Sequence, residues 1–242
     1  MSRLSDIAVT ALDDITHLTF DCYGTLIDWE RGILAASAPL LTRLGAQATP
    51  EAILRSYAQH EARLESQGWK PYRDVLRDVM IGIAADFGVP VSESESNVLV
   101  DSLPAWPPFP DTVAALQKLA TRFRLVILSN TDDALFAETQ KQLRVHFADV
   151  ITAEQVRSYK PGHAHFQEAL RRLNLSAPQI LHVAQSLYHD HVPARQLGFN
   201  TAWVNRPSLL AGTGLAPAAV VQPDIVVPDL ATLAARLISD GV

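Results

Sequence analysis

At 242 residues the chain is long enough for one large domain or for a core domain carrying an insertion, and 48% hydrophobic against 19% charged residues excludes a disordered, collagen-like or low-complexity polymer. Twenty basic residues against 26 acidic ones give a net charge of −6 with no block of like charge, which argues against nucleic acid as a partner. The single cysteine, Cys22, can form neither an internal disulfide nor a thiolate metal cluster, so a reducing compartment fits best. No apolar signal core follows Met1, and no run approaches the ~18 apolar residues of a membrane span. The expectation is a cytoplasmic protein with no membrane partner.

In chain order, the first buried strand is expected at 17–21. The interval 28–104 then shows helical periodicities without a convincing strand and is expected to hold an inserted module of four helices. Thr49 followed by Pro50 opens one of these helices as N-cap and first-turn proline, and Pro71 and the segment 89–92 supply breaks. The proline-rich stretch 103–110 is expected to form a stiff return linker, because proline restricts both itself and its predecessor. Further strands are expected at 124–129, 179–184, 200–205 and 224–227, with helical patterns at 111–122 and 163–173 between them. Apolar runs without strict alternation, separated by helices, describe a parallel α/β sheet covered on both faces. Chemistry in such sheets collects beyond the carboxyl ends of the strands, where Asp21, Ser129 and Ser186 fall.

Asp21 ends the first strand and is followed by a Gly-Thr turn, which places a carboxylate beside inward-pointing backbone N–H groups. That arrangement suits a nucleophile next to an anion, although turn chemistry alone explains it equally well. Ser129 and Asn130 end the second strand with hydroxyl and amide donors suited to an oxyanion; taken alone they also read as a turn and N-cap. Lys160 precedes Pro161, so its backbone is extended and its ammonium is able to reach back to a carboxylate. His189, Asp190 and His191 suggest a metal site by composition, but adjacent residues on one turn do not face one centre. No metal or other cofactor is expected.

Together these segments resemble the haloacid dehalogenase superfamily, and within it the L-2-haloacid (type II haloacid) dehalogenases. Asp21-Cys22-Tyr23-Gly24-Thr25-Leu26 resembles the first motif, Leu128-Ser129-Asn130 the second, Tyr159-Lys160-Pro161 the third and Ser186 through Asp190 the fourth. The resemblance implies a Rossmann-like parallel-sheet core, 1–28 with 109–242, and an inserted helical cap domain with its linkers at 29–108. The phosphatases of the superfamily resemble one another in a second Asp two positions after the first and in acidic residues that hold magnesium at the fourth motif. Here those positions are Tyr23 and, by the spacing of Asp190 to Gly198, Ser186. Halide leaves without a proton or a divalent cation, so these departures suit a dehalogenase.

The resemblance then implies that Asp21 displaces halide from short (S)-2-haloalkanoates as a covalent aspartyl ester, independently of metal. Lys160 would stabilise it, and Asp190 or His189 would activate water. Ser129, Asn130, Ser186 and the backbone near Tyr23 and Thr25 would hold the substrate, and a cap arginine, Arg55 in preference to Arg63 or Arg73, would bind halide or carboxylate. Tyr23, Trp29, Tyr57, Phe166 and Trp203 are candidates for pocket walls. Gln185, Leu187 and Phe166 depart from the dehalogenase pattern of serine, asparagine and tyrosine. A phosphomonoesterase with a remodelled magnesium site and a non-catalytic small-carboxylate binder are the alternatives. A homodimer is compatible with such a chain.

Overall fold

The computed structural model describes residues 14–210 and 214–238. Its centre is a six-stranded parallel sheet in the order β3-β2-β1-β4-β5-β6: β1 His17–Phe20, β2 Arg124–Ser129, β3 Asp149–Thr152, β4 Ile180–Ala184, β5 Asn200–Val204 and β6 Ile225–Val227. Five of these strands are the expected ones; β3 is additional. It is an edge strand of four residues whose first two, Asp149 and Val150, are only half-buried, so it offers no continuous apolar run to read. β1 sits between β2 and β4, with Leu18 level with Leu125 and Leu181, and all four of its residues are buried. The strand order reverses between β1 and β4, so their carboxyl ends flank the crevice at the topological switch point.

Between β1 and β2 the chain builds α1 Trp29–Arg43, α2 Pro50–Glu65, α3 Tyr72–Asp86, α4 Glu93–Ser96 and α5 Val98–Ser102, then a 3-10 turn at Leu103–Ala105. This corrects the expected four helices to five, because the fourth helical stretch breaks at Asn97 into two single-turn pieces. Thr49 caps α2 as expected, its hydroxyl accepting from the Ala52 N–H at 3.3 Å. Gly32 on α1 lies against Trp106 so closely that an added Cβ would stand 2.2 Å from the indole Cγ. The outgoing and returning linkers bond to each other, with the Asp28 N–H on the Pro107 carbonyl at 2.8 Å and the Phe109 N–H on Leu26 at 3.1 Å. The return linker is thus held to the outgoing one as well as stiffened by its prolines.

The remaining helices are α6 Thr112–Leu119, α7 Asp133–Leu143, α8 Ala153–Val156, α9 Ala164–Leu173, α10 Val192–Gln196 and α11 Leu230–Leu237. On one face of the sheet Val126, Leu128 and Ile180 pack with Phe166 and Ala169 of α9 and with Phe199. The larger core joins Phe20 and Ile127 to residues of α6, α7 and α11 and to the inner faces of α1, α2 and α3. Among the described residues no helix is long and apolar enough to cross a membrane.

Candidate active site

A cavity opens over the ends of β1, β2 and β4. From the sheet side it is lined by Asp21, Tyr23, Ser129, Asn130, Lys160, Gln185, Ser186, His189 and Asp190, and from the helical insertion by Trp29, Glu61, Glu65 and Tyr72.

Asp21 follows β1 directly, its N–H bonded to the Val183 carbonyl of β4 at 3.2 Å. Both of its carboxylate oxygens are held: Lys160 Nζ donates to Oδ1 at 2.9 Å and Thr25 Oγ1 to Oδ2 at 2.7 Å. The chain turns at Gly24, φ +88°, a left-handed conformation that favours glycine, and an added Cβ there would meet the Trp29 ring at 2.9 Å. Thr25 Oγ1 in turn accepts the Gln185 N–H at 2.9 Å, so one hydroxyl ties the β1 turn to the end of β4. The Thr25 N–H itself is used within the turn, on the Cys22 carbonyl. Thr25 therefore orients the Asp21 carboxylate, and its backbone N–H is committed within the turn.

Lys160 is 2% exposed, and its ammonium makes three hydrogen bonds, to Asp21 Oδ1, to Asp190 Oδ1 at 2.6 Å and to the Leu128 carbonyl at 2.9 Å. Three donors meet three acceptors, so no N–H is left over. Asn130 fixes the lysine backbone from both sides, accepting its N–H at 2.8 Å and donating to its carbonyl at 3.2 Å, and its amide also donates to Glu65 at 3.4 Å. Burial would lower the lysine pKa, but the two carboxylates more than offset this and raise it above the usual range. Burial pushes the Asp21 carboxyl up, against the opposing pull of Lys160 and Thr25.

Asp190 is 1% exposed, and its Oδ1 takes both Lys160 and His182 Nε2, the latter at 3.0 Å. Despite burial, Lys160 and His182 hold its carboxyl well below the usual range. Water activation was the role expected of Asp190; its hydrogen bonds to Lys160 and His182 place it as the lysine's anchor. His182 is fully buried in mid-strand, with Nδ1 bonded to Thr19 Oγ1 at 2.9 Å, and completes the chain from Thr19 through Asp190 and Lys160 to Asp21. A histidine inside an apolar strand was the signal that could have marked it.

Ser186 caps a π-helical turn, Leu187–His191, by accepting the His189 N–H at 3.0 Å. Such turns occur frequently at functional sites. The turn sends its three polar residues apart: Asp190 inward to Lys160, His191 Nε2 to the Ala184 carbonyl at 3.0 Å, and His189 to the cavity wall. The His189 ring lies 3.3 Å from Ser186 Oγ through Nδ1 and 3.9 Å from Glu65 through Nε2. Burial lowers its pKa to about 4, so it is neutral near pH 7.

Several expected residues lie elsewhere. Arg55 is exposed on α2 and does not line the cavity, which corrects its expected role; Arg63 is exposed too, and Arg73 is half-exposed with its guanidinium on Asp132 at 3.0 Å. The stripe of α2 that faces inward runs through Tyr57, Glu61 and Leu64, a different side from Arg55. Tyr23 lines the cavity with its ring, but its hydroxyl lies 2.9 Å from Thr139 Oγ1. Phe166 packs with His182 and Phe199 in the core, Tyr57 stands behind Glu61, and Trp203 donates to the Gln185 carbonyl at 2.8 Å.

Glu61 and Glu65 were not anticipated. One helical turn apart on α2, they project onto the same cavity. Tyr57 and Tyr72 both donate to Glu61 Oε1, at 2.8 and 2.6 Å. A glutamate in register with the buried apolar stripe of α2 was the available signal.

The donor set does not suit a magnesium ion. The Asp21 and Asp190 carboxylates converge on the Lys160 ammonium, Ser186 takes the place of a third carboxylate, and the Tyr23 hydroxyl is turned away. Among the described residues no group of three or more His, Cys, Asp or Glu is arranged to hold a metal.

Sequence comparison accords with this geometry. The family model for haloacid dehalogenase-like hydrolases matches residues 15–190, and the chain belongs to that family. It is 26% identical over 202 residues to an (S)-2-haloacid dehalogenase of Pseudomonas sp. (strain YL), covering 81% of this chain and 84% of that one. It is also 26% identical over 192 residues to a phosphoglycolate phosphatase of Neisseria gonorrhoeae, covering 78% and 79%. The fold matches the L-2-haloacid dehalogenase of Xanthobacter autotrophicus with a TM-score of 0.79 at 21% identity, over 94% of this chain and all of that one.

Proposed function

We propose that the protein is a hydrolytic dehalogenase in which Asp21 is the nucleophile and no metal takes part. The observation that carries this reading is the Asp21 carboxylate, held at both oxygens by Lys160 and Thr25 and facing the cavity, with Tyr23, its hydroxyl bonded to Thr139, at the position two residues on. Asp21 attacks the halogen-bearing carbon in line; a carbon–oxygen bond forms as the carbon–halogen bond breaks, and halide leaves with its electron pair. Water then adds to the carbonyl of the resulting ester, passing a proton to His189, and the alcohol is expelled as Asp21 is restored. Lys160 keeps Asp21 ionised, and Asp190 with His182 fixes Lys160. Ser129 is the donor left to meet a substrate carboxylate or the oxyanion, because the Asn130 amide N–H groups are taken by the Lys160 carbonyl and Glu65.

The names of the relatives point to short (S)-2-haloalkanoates as the first substrates to test, and we assign the residues 1–28 and 109–242 to a core, 29–108 to a cap, in a cytoplasmic enzyme. Halide release from the two enantiomers of 2-chloropropionate, measured with a chelator present, tests the reaction. Release from the S enantiomer that is absent in Asp21→Asn supports it. Equal release by Asp21→Asn, or turnover confined to phosphoesters with added magnesium, overturns it.

A further inference from the structure

The helical insertion brings two acidic side chains to a cavity that already holds two. Glu61 is 7% exposed and the Glu65 side chain 8%, and they line the cavity with Asp21 and Asp190. Against these four carboxylates stands the Lys160 ammonium, whose three N–H groups are committed within the protein. His189 is neutral, and no arginine among the described residues lines the cavity. A substrate whose polar group is a carboxylate alone would bring a further negative charge into this enclosure.

Two details show that the acidic end is built. The Tyr57 and Tyr72 hydroxyls both donate to Glu61 Oε1, a pattern that favours the ionised carboxylate and leaves Oε2 open. Independently, Ser129 belongs to the lining of the same cavity at 1% exposure, and its Oγ is a buried donor and acceptor with no partner in the protein. The rings of Trp29 and Tyr72 complete the wall beside the two glutamates. Aromatic rings beside carboxylates recognise alkylammonium groups.

Resting on the dehalogenase reading of Asp21, we infer that the substrate is a haloalkanoate carrying an alkylammonium group at its far end, which Glu61 and Glu65 bind at the cap side of the cavity while Ser129 meets its carboxylate. The electrostatics agree. Burial pushes both glutamates above the usual carboxylate range, and their proximity to each other adds to this for Glu65, a cost that a bound cation relieves.

The test is calorimetric binding of two unreactive probes, 6-aminohexanoate and hexanoate, to the full chain and to its Glu61→Gln and Glu65→Gln variants. The inference predicts that 6-aminohexanoate binds at least about tenfold more tightly than hexanoate, as a charge-assisted pair in a buried site allows. In each variant the amine-bearing probe should weaken while hexanoate tightens. Opposite changes distinguish recognition from a structural role, which would move both probes together. Hexanoate binding as well as 6-aminohexanoate, neither probe binding, or a parallel loss of both in the variants overturns the inference. Halide release from 6-amino-2-chlorohexanoate and 2-chlorohexanoate separates the two readings. Release favouring 2-chlorohexanoate counts against the ammonium site, whereas release from neither, with the calorimetric preference intact, counts against the nucleophile alone.

Discussion

Thr25 illustrates how much a single hydroxyl does in this site, because it bonds both to Asp21 and to the backbone after β4. Its hydrogen bond lowers the Asp21 pKa, while burial raises it. Activity that needs ionised Asp21 should fall as pH drops through that pKa, above the ordinary carboxylate range. Thr25→Val removes a lowering influence, so the acid limb of the kcat/KM profile should move to higher pH; an unmoved limb would show that Asp21 does not govern it. Lys160→Met should destabilise the fold by about 3–5 kcal/mol in denaturant unfolding, since it leaves two buried carboxylates without their cation. Combining it with Asp190→Asn should recover part of that loss, and strict additivity would deny the coupling.

The pairing of Asp21 with Lys160 was legible in the sequence because each sits at a strand end or before a proline, where local chemistry constrains direction. Arg55, Glu61 and Glu65 were not, because which face of α2 turns inward depends on how the cap seats on the sheet. His182 escaped for the opposite reason: its strand reads as simple core.

At the scale of elements, the link between cap and sheet is an interaction across the cleft. Asp132, at the N-cap position of α7, does not cap its own helix with its side chain. Its carboxylate instead accepts the first N–H groups of α3, Tyr72 at 2.7 Å and Arg73 at 3.0 Å, and α3 has no side-chain cap of its own. Buried at 1% exposure, it supplies charge and acceptors where a helix N-terminus lacks both. Asp132→Ala should cost about 1–3 kcal/mol of stability in denaturant unfolding. Because Tyr72 holds Glu61, the variant should also raise KM more than it lowers kcat; a variant with wild-type stability would contradict the role. The N-cap of α2 was readable from Thr49 and Pro50, since its parts are consecutive. The cap of α3 was not, since its acceptor lies sixty positions downstream. β3 was missed on similar grounds, being a strand by virtue of its pairing with β2 more than by its own four residues.

For the whole molecule, the parallel order of the sheet follows from buried apolar strands joined by helices, and the switch point between β1 and β4 follows from that order. The insertion after β1 places an acidic, aromatic surface opposite Asp21, so one half of the site comes from the sheet ends and the other from the helical insertion. The two linkers cross side by side, and the α1 backbone at Gly32 lies directly on Trp106 of the returning segment. Gly32→Val should therefore force the indole away and cost about 1–3 kcal/mol in thermal or denaturant unfolding. Unchanged stability would show that the cap is not seated on this contact.

The most direct test of the central claim is a single turnover of (S)-2-chloropropionate in heavy-oxygen water with the protein in excess, followed by mass analysis of the Asp21 peptide and the product. A covalent aspartyl ester hydrolysed at its carbonyl predicts heavy oxygen in the Asp21 carboxylate and ordinary oxygen in the 2-hydroxy acid. Heavy oxygen in the hydroxy acid with none in the protein would mean that water attacks the substrate directly, and would contradict Asp21 as the nucleophile.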